Sequence, residues 1–226
     1  MKILYEDNHI IVINKAAGEI VQGDKSGDES LCETLKHFLK IKYNKPGNVF
    51  VGLPHRLDRP VSGVVVFAKT SKALERLNAM FRDSSVKKIY WAITKETPIR
   101  EEAQLSHWIL RNEKQNKSYA YNKEVKGSKH AVLNYRHIAS SQNYNLLEVE
   151  LKTGRHHQIR CQLSAIGCPI KGDLKYGAKR SNPDGSISLH ARKVEFIHPV
   201  SKEFISITAP VPDDALWRNF EENTAS

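Results

Sequence analysis

Between residues 86 and 152 the chain carries five segments rich in β-branched and aromatic residues, at 86–94, 104–110, 118–125, 129–138 and 144–152. Only short polar stretches separate them. A parallel pairing would need a crossover of roughly a dozen residues between neighbouring strands, usually a helix, and no such length is present. The tract must therefore pair as antiparallel hairpins. Helical periodicity is confined to a few places: Leu31, Leu35, Phe38 and Leu39; Leu74, Leu77 and Phe81, behind a cap at Thr70 or Ser71; Ile159, Leu163 and Ile166, in a helix from about His156 to Ile166 ended by Gly167; and a closing stretch at 212–222. Further strands are expected at 8–15, 63–68, 193–198 and 204–208. The expected fold class is α+β, a mainly antiparallel mixed β-sheet core with a few flanking helices. No repeat and no Pro/Ser linker divides the chain, so a single domain over residues 1–226 is expected.

Thirty-five lysines and arginines stand against 25 acids, a net charge of +10. Such an excess speaks about partners rather than fold, and it favours a polyanion. The cations recur along the whole length, which points to a folded basic face rather than a basic arm. No apolar run approaches the roughly 18 residues of a membrane-spanning helix. The opening Met1-Lys2-Ile3-Leu4-Tyr5-Glu6-Asp7 turns acidic at once and has no signal-peptide core, so a cytoplasmic location and no membrane partner are expected. Cys32, Cys161 and Cys168 form no Cys-x-x-Cys pair and read as reduced thiols, not as a disulfide or zinc framework.

Two segments stand out for chemistry. In Pro54-His55-Arg56-Leu57-Asp58-Arg59-Pro60-Val61-Ser62-Gly63 an acid lies between two arginines, which favour its ionised form, on a backbone punctuated to display it. Alone, such an aspartate is more often an ordinary turn residue. In Lys152-Thr153-Gly154-Arg155-His156-His157-Gln158-Ile159-Arg160, cationic and amide groups gather at a helix start, where backbone N–H groups can receive a phosphate. The bland alternative is a Thr153 cap with Arg155 and His156 facing solvent. His156 and His157 are adjacent and are expected on different helix faces, so no metal site is expected. Lys88-Ile89-Tyr90-Trp91-Ala92 sits in a strand, and the loop from Gly167 to Gly177 is shaped by glycines and Pro169. Either could be plain structure.

Together these segments resemble the RluA-type pseudouridine synthases, over about residues 3–211. His55-Arg56-Leu57-Asp58 with Ser62-Gly63 is similar to that family's catalytic-aspartate motif, and Tyr90 falls on the tyrosine of its Lys-x-Tyr-x-Ala strand. Thr153-Gly154-Arg155 with His157-Gln158-Ile159-Arg160, the Pro169-Ile170-x-Gly172-Asp173 loop, and Leu189-His190-Ala191 before His198-Pro199 complete the order. The chain departs from the pattern at Val61, at Ala16 after Lys15, and at Gln162, positions that bear on how RNA is held. The chain begins at the catalytic domain, so RNA recognition by that domain alone is expected.

The resemblance implies isomerisation of uridine in ribosomal or transfer RNA, with no cofactor, by a monomer. Asp58 would act as nucleophile or base, Tyr90 would stack on the uracil, and Arg160 would pair with Asp58 and keep it ionised. Arg56 would hold or replace the flipped base, and His55 would bind substrate. Lys15, Arg59, Arg155 and Gln158 would bind substrate, with Lys171 and Lys175 as further phosphate contacts. A non-catalytic RNA-binding relative is disfavoured by the joint presence of Asp58, Tyr90 and Arg160. A metal-dependent nuclease would need acids and histidines at ligand spacing, which the sequence lacks.

Overall fold

The structure, a computed structural model, describes residues 1–23 and 27–224. In chain order the elements are β1 (Lys2–Glu6), β2 (Ile10–Lys15), α1 (Leu31–Lys42), β3 (Ser62–Ala68), α2 (Ser71–Arg82), β4 (Lys87–Thr94), β5 (Glu102–Asn112), β6 (Lys117–Tyr121), β7 (Lys129–Ser140), β8 (Asn145–Leu151), α3 (Gln158–Ala165), a 3-10 turn (Leu174–Tyr176), β9 (Leu189–Ile197), β10 (Phe204–Thr208) and α4 (Ala215–Thr224). The fold is mixed and mostly antiparallel, as the hairpin argument requires. The chain divides into two compact units, Met1–Val86 with Lys193–Pro210, and Lys87–Arg192 with Val211–Ser226.

In the first unit β1, β2 and β3 pair antiparallel in sequence order. All seven residues of β3 are buried, so its β-branched run is continuous rather than alternating, the mark of a strand covered on both faces. Its side chains Val64 and Val66 join Ile10, Val12, Leu77, Val194 and Phe196 in one core. The α2 cap is Thr70, whose hydroxyl accepts from Ala73 N–H at 3.2 Å. The strand β1 was not expected. Its KILYE has no clear alternation, and its identity comes from the ladder to β2, which is irregular between Ile3 and Tyr5.

In the second unit the pairing runs β4-β8-β7-β5-β6, antiparallel throughout. Trp91, Ile93 and Leu146 pack against Trp217 and Phe220 of α4, while Ile109 and Ala131 pack against Cys161 of α3 and Tyr176. One correction concerns α3. It starts at Gln158 rather than His156, because His157 takes up left-handed backbone at φ 52° and ends the turn before it.

Glu6, at the end of β1, accepts from Lys42 Nζ (2.7 Å), Lys69 Nζ (2.8 Å) and the Tyr43 hydroxyl (2.6 Å). Burial alone would raise its pKa, but these donors outweigh it and hold the carboxyl at about 2. A carboxyl depressed in the fold contributes stability above its unfolded value. That contribution is lost as pH falls from about 4.5 towards 2. Glu6→Gln is therefore expected to lower the melting temperature at pH 7, by on the order of 2 kcal/mol of stability, with the gap to wild type closing at pH 3. Thermal melts across that range check it. An equal deficit at both pH values would deny the carboxylate its role.

Candidate active site

In the first unit the Asp58 segment is tied down by a buried ammonium. Lys15 closes β2 with 1% exposure, and its Nζ donates to the carbonyls of Ala16 (2.9 Å), Arg59 (3.1 Å) and Val61 (2.6 Å). Three donors meet three carbonyls. A fourth tie comes from Gly18 N–H to Arg59 O at 2.8 Å, and the turn itself closes with Val61 N–H to Asp58 O at 3.0 Å. Asp58 is half-buried and opens this turn. Burial lowers the Lys15 pKa to about 8, although Glu19 and Asp58 pull it upward. Lys15 is thus corrected from a phosphate contact to an anchor of the Asp58 turn.

His55 also serves structure. Its Nε2 accepts from Val66 N–H at 3.0 Å, next to the Gly52–Ala68 bridge that covers the same end of β3, and its ring stacks on Phe81 at 4.3 Å. That nitrogen therefore carries no proton. Arg56 and Arg59 are both exposed, and Arg59 forms a surface ion pair with Asp28 at 2.6 Å.

In the second unit Arg160, at 6% exposure, meets Asp173, at 1%, in a forked pair. Its Nε lies 2.7 Å from Oδ2 and its Nη2 2.9 Å from Oδ1. Asp173 was read as part of a shaped loop and not as the partner of Arg160. The guanidinium also lies over the ring of Tyr176, 5.0 Å from its centroid. Burial pushes the Tyr176 phenol up, and its oxygen accepts from Ser118 N–H at 2.8 Å and sits 2.9 Å from His157 Nδ1. His156 and His157 stack at 3.8 Å instead of facing apart, because both precede the helix and the left-handed His157 folds their rings together. Among the described residues no group of three or more potential metal ligands forms.

Gln158 is likewise internal. Its Oε1 accepts from the Thr153 hydroxyl (2.7 Å) and Arg155 N–H (3.0 Å), and its Nε2 donates to Val132 O (3.1 Å). It knits the Thr153-Gly154-Arg155 turn to β7, and the expectation that it binds substrate is withdrawn. Arg155 stays exposed, its Nε on His130 O at 2.9 Å. Tyr90 lies in β4 opposite Val149, with 9% exposure.

The profile of the RNA pseudouridylate synthases matches residues 9–165, well over half of the sequence. The chain belongs to that family. It is 34% identical over 220 residues to an uncharacterized RNA pseudouridine synthase of Bacillus subtilis, covering 95% of this chain and 70% of that protein. Ribosomal large subunit pseudouridine synthase D of Zymomonas mobilis is 33% identical over 224 residues, with 95% and 70% covered. A Synechocystis RNA pseudouridine synthase is 33% identical over 216 residues, and there this chain spans 66% of the relative's length. About two thirds of the length of such relatives is therefore represented here. Human RNA pseudouridylate synthase domain containing 4 superposes with a TM-score of 0.80 at 24% identity, covering 99% of this chain and 93% of that one, and shows the same fold.

Two of the departures from the family pattern, Val61 and Gln162, fall on packing, whereas Ala16 is exposed. Val61 is buried, with its carbonyl on Lys15. Gln162 is wholly buried, and its Nε2 donates to Leu105 O at 3.2 Å and to His107 Nδ1 at 2.9 Å. Neither side chain is placed to touch RNA.

Lys15→Met should leave three carbonyls without their donor and lower stability by on the order of 3 kcal/mol. In a synthase assay, turnover should fall while RNA affinity and its salt dependence stay near wild type. A phosphate contact would show the opposite, weaker binding with a shallower salt slope.

Proposed function

We propose that this chain isomerises uridines in structured RNA to pseudouridine, with Asp58 acting at the nucleoside as nucleophile or base. One observation carries the reading: the only acid in the family's motif sits half-buried on a turn whose backbone is pinned by a buried ammonium. A carboxylate held in this way is presented to a reacting atom without a loop having to order first. The reaction breaks the N1–C1′ bond and forms C5–C1′, and the proton leaving C5 is balanced by one gained at N1. It is internally balanced, so no cofactor is required.

Tyr90 stacks on the flipped uracil, and Arg160, oriented by Asp173, holds Asp58 ionised and aimed. Arg56, Arg59 and Arg155, all exposed, contact phosphates and the flipped nucleotide's place in the stack. The two compact units work as one catalytic domain, monomeric, in the cytoplasm. Relatives whose names specify a substrate are named for the ribosomal large subunit, which favours ribosomal over transfer RNA as the target. No helix among the described residues is long and apolar enough to cross a membrane.

Asp58→Asn is expected to abolish tritium release from 5-tritiated uridine in RNA while leaving the melting temperature nearly unchanged. Residual activity above a few per cent of wild type would remove Asp58 from the chemistry.

Arg160→Met should cut single-turnover rates by orders of magnitude, since orienting and charge-stabilising groups commonly supply about 3 kcal/mol of barrier lowering. It should also destabilise the fold, because Asp173 is left as a buried charge without its fork; on the order of 3–5 kcal/mol is typical of such a loss. Adding Asp173→Asn should recover part of that stability and none of the turnover. Recovery of turnover in the double variant would reduce Arg160 to a structural partner of Asp173.

A further inference from the structure

The second unit contains a cavity of about 440 Å³ whose lining includes Lys95, Lys171, Lys179 and Arg180 but a single carboxylate, Glu96. Among the described residues the side chains of Lys95, Lys179 and Arg180 enter no ion pair or hydrogen bond. Lys171 is fixed differently. Its Nζ donates to Asn182 Oδ1 at 2.6 Å, and the Asn182 amide in turn donates to the hydroxyls of Ser186 and Ser188, each at 3.2 Å. A neutral partner orients the ammonium without cancelling its charge. The nearby Asp184 carboxylate interacts electrostatically with Lys171, but its short contacts are the hydroxyl and N–H of Ser186.

The floor is closely built. Gly172 has φ +87°, and a Cβ there would lie 2.8 Å from both Asn182 Cγ and Ser186 O. Only glycine lets the chain pass under Asn182 and place Asp173, the next residue, against Arg160. Lys171 itself is tied to β4 through its N–H to Ile93 O at 2.8 Å, and its carbonyl receives Ser188 N–H at 2.8 Å. A fixed ammonium on a rigid floor, with longer exposed cations at the rim, is suited to a polyanion's backbone. Convergent buried donors would be expected for a small free anion. The volume is that of an ordinary ligand site and accommodates a phosphodiester with part of its sugars. Tyr144 on the wall, 5.7 Å from Lys171 Nζ, offers an aromatic face beside it.

We propose that this cavity receives a backbone phosphate of the substrate RNA, belonging to a nucleotide other than the one isomerised. The inference rests on the proposed RNA synthase function and adds a defined anchoring point to it.

The test is the double variant Lys179→Ala/Arg180→Ala, which removes two exposed rim cations whose side chains enter no ion pair or hydrogen bond among the described residues. The probes are unmodified transcripts of large-subunit ribosomal RNA and of transfer RNA. The expected result is an unchanged melting temperature and affinity weakened by about tenfold. The slope of log K against log salt should become shallower by about 1 to 2, and the single-turnover rate at saturating RNA should stay within about twofold of wild type. Wild-type affinity and salt slope in the variant, with normal isomerisation, would overturn the cavity assignment and leave the synthase function standing. Should wild type bind RNA through the cavity as described yet release no tritium from either transcript, the synthase reading fails and the phosphate site survives. Inorganic pyrophosphate separates the remaining source. If it raises the melting temperature of wild type but not of the variant, while both bind RNA equally, the cavity holds a free anion and the RNA assignment is wrong.

Discussion

A guanidinium that cannot shed its proton lies almost wholly inside the second unit, and much of that unit is arranged around satisfying it. Arg160 stays charged at any working pH, so its burial demands a fixed counter-charge with matching geometry. Asp173 supplies both, two oxygens on two parallel N–H groups, with next to no exposure of either partner. Meeting that demand joins α3 to a loop thirteen residues further on. The 3-10 turn after Asp173 then brings Tyr176 under the guanidinium, and the phenol reaches back to Ser118 and His157. Helix, loop and β6 are thereby held in one arrangement by a chain of polar contacts in a dry setting, where each contact is strong and each loss costly.

The first unit solves a related problem by another route. Lys15 also carries a cation into the interior, but it meets backbone carbonyls instead of a carboxylate. A compact ammonium with three N–H groups suits three converging carbonyls, as the planar guanidinium suits a carboxylate. The consequence is local: the backbone of the Asp58 turn is held. Nothing in the charge total of +10 distinguishes such architectural cations from those at the surface. Burial makes the division, setting Lys15 and Arg160 apart from Arg56, Arg59, Arg155, Lys179 and Arg180.

The same division explains which expectations held and which did not. The five middle strands, α1, α2 and β10 were legible because each rests on local periodicity, capping or turn length, and those are short-range properties. The strand β1 and the true start of α3 were not, since one depends on a neighbouring strand and the other on a left-handed residue that no propensity marks. Within the site, residue types at motif spacing pointed to Asp58 and Arg160. The same spacing made Lys15, His55 and Gln158 look like ligand-binding groups, when Lys15 Nζ, His55 Nε2 and both polar atoms of the Gln158 amide bond within the fold.

What the sequence by itself determined is the antiparallel α+β character, set by strand spacing too short for crossovers, and the family, set by five motifs in order. Only the tertiary structure decided the partners: Asp173 for Arg160, three carbonyls for Lys15, and Asn182 beneath Lys171. The reason is physical. Apart from the adjacent Ala16 carbonyl, a hydrogen-bond partner is chosen by where the chain returns to after folding, over separations of 11 to 46 residues here, and by the exclusion of water that makes an unpaired choice too costly to persist.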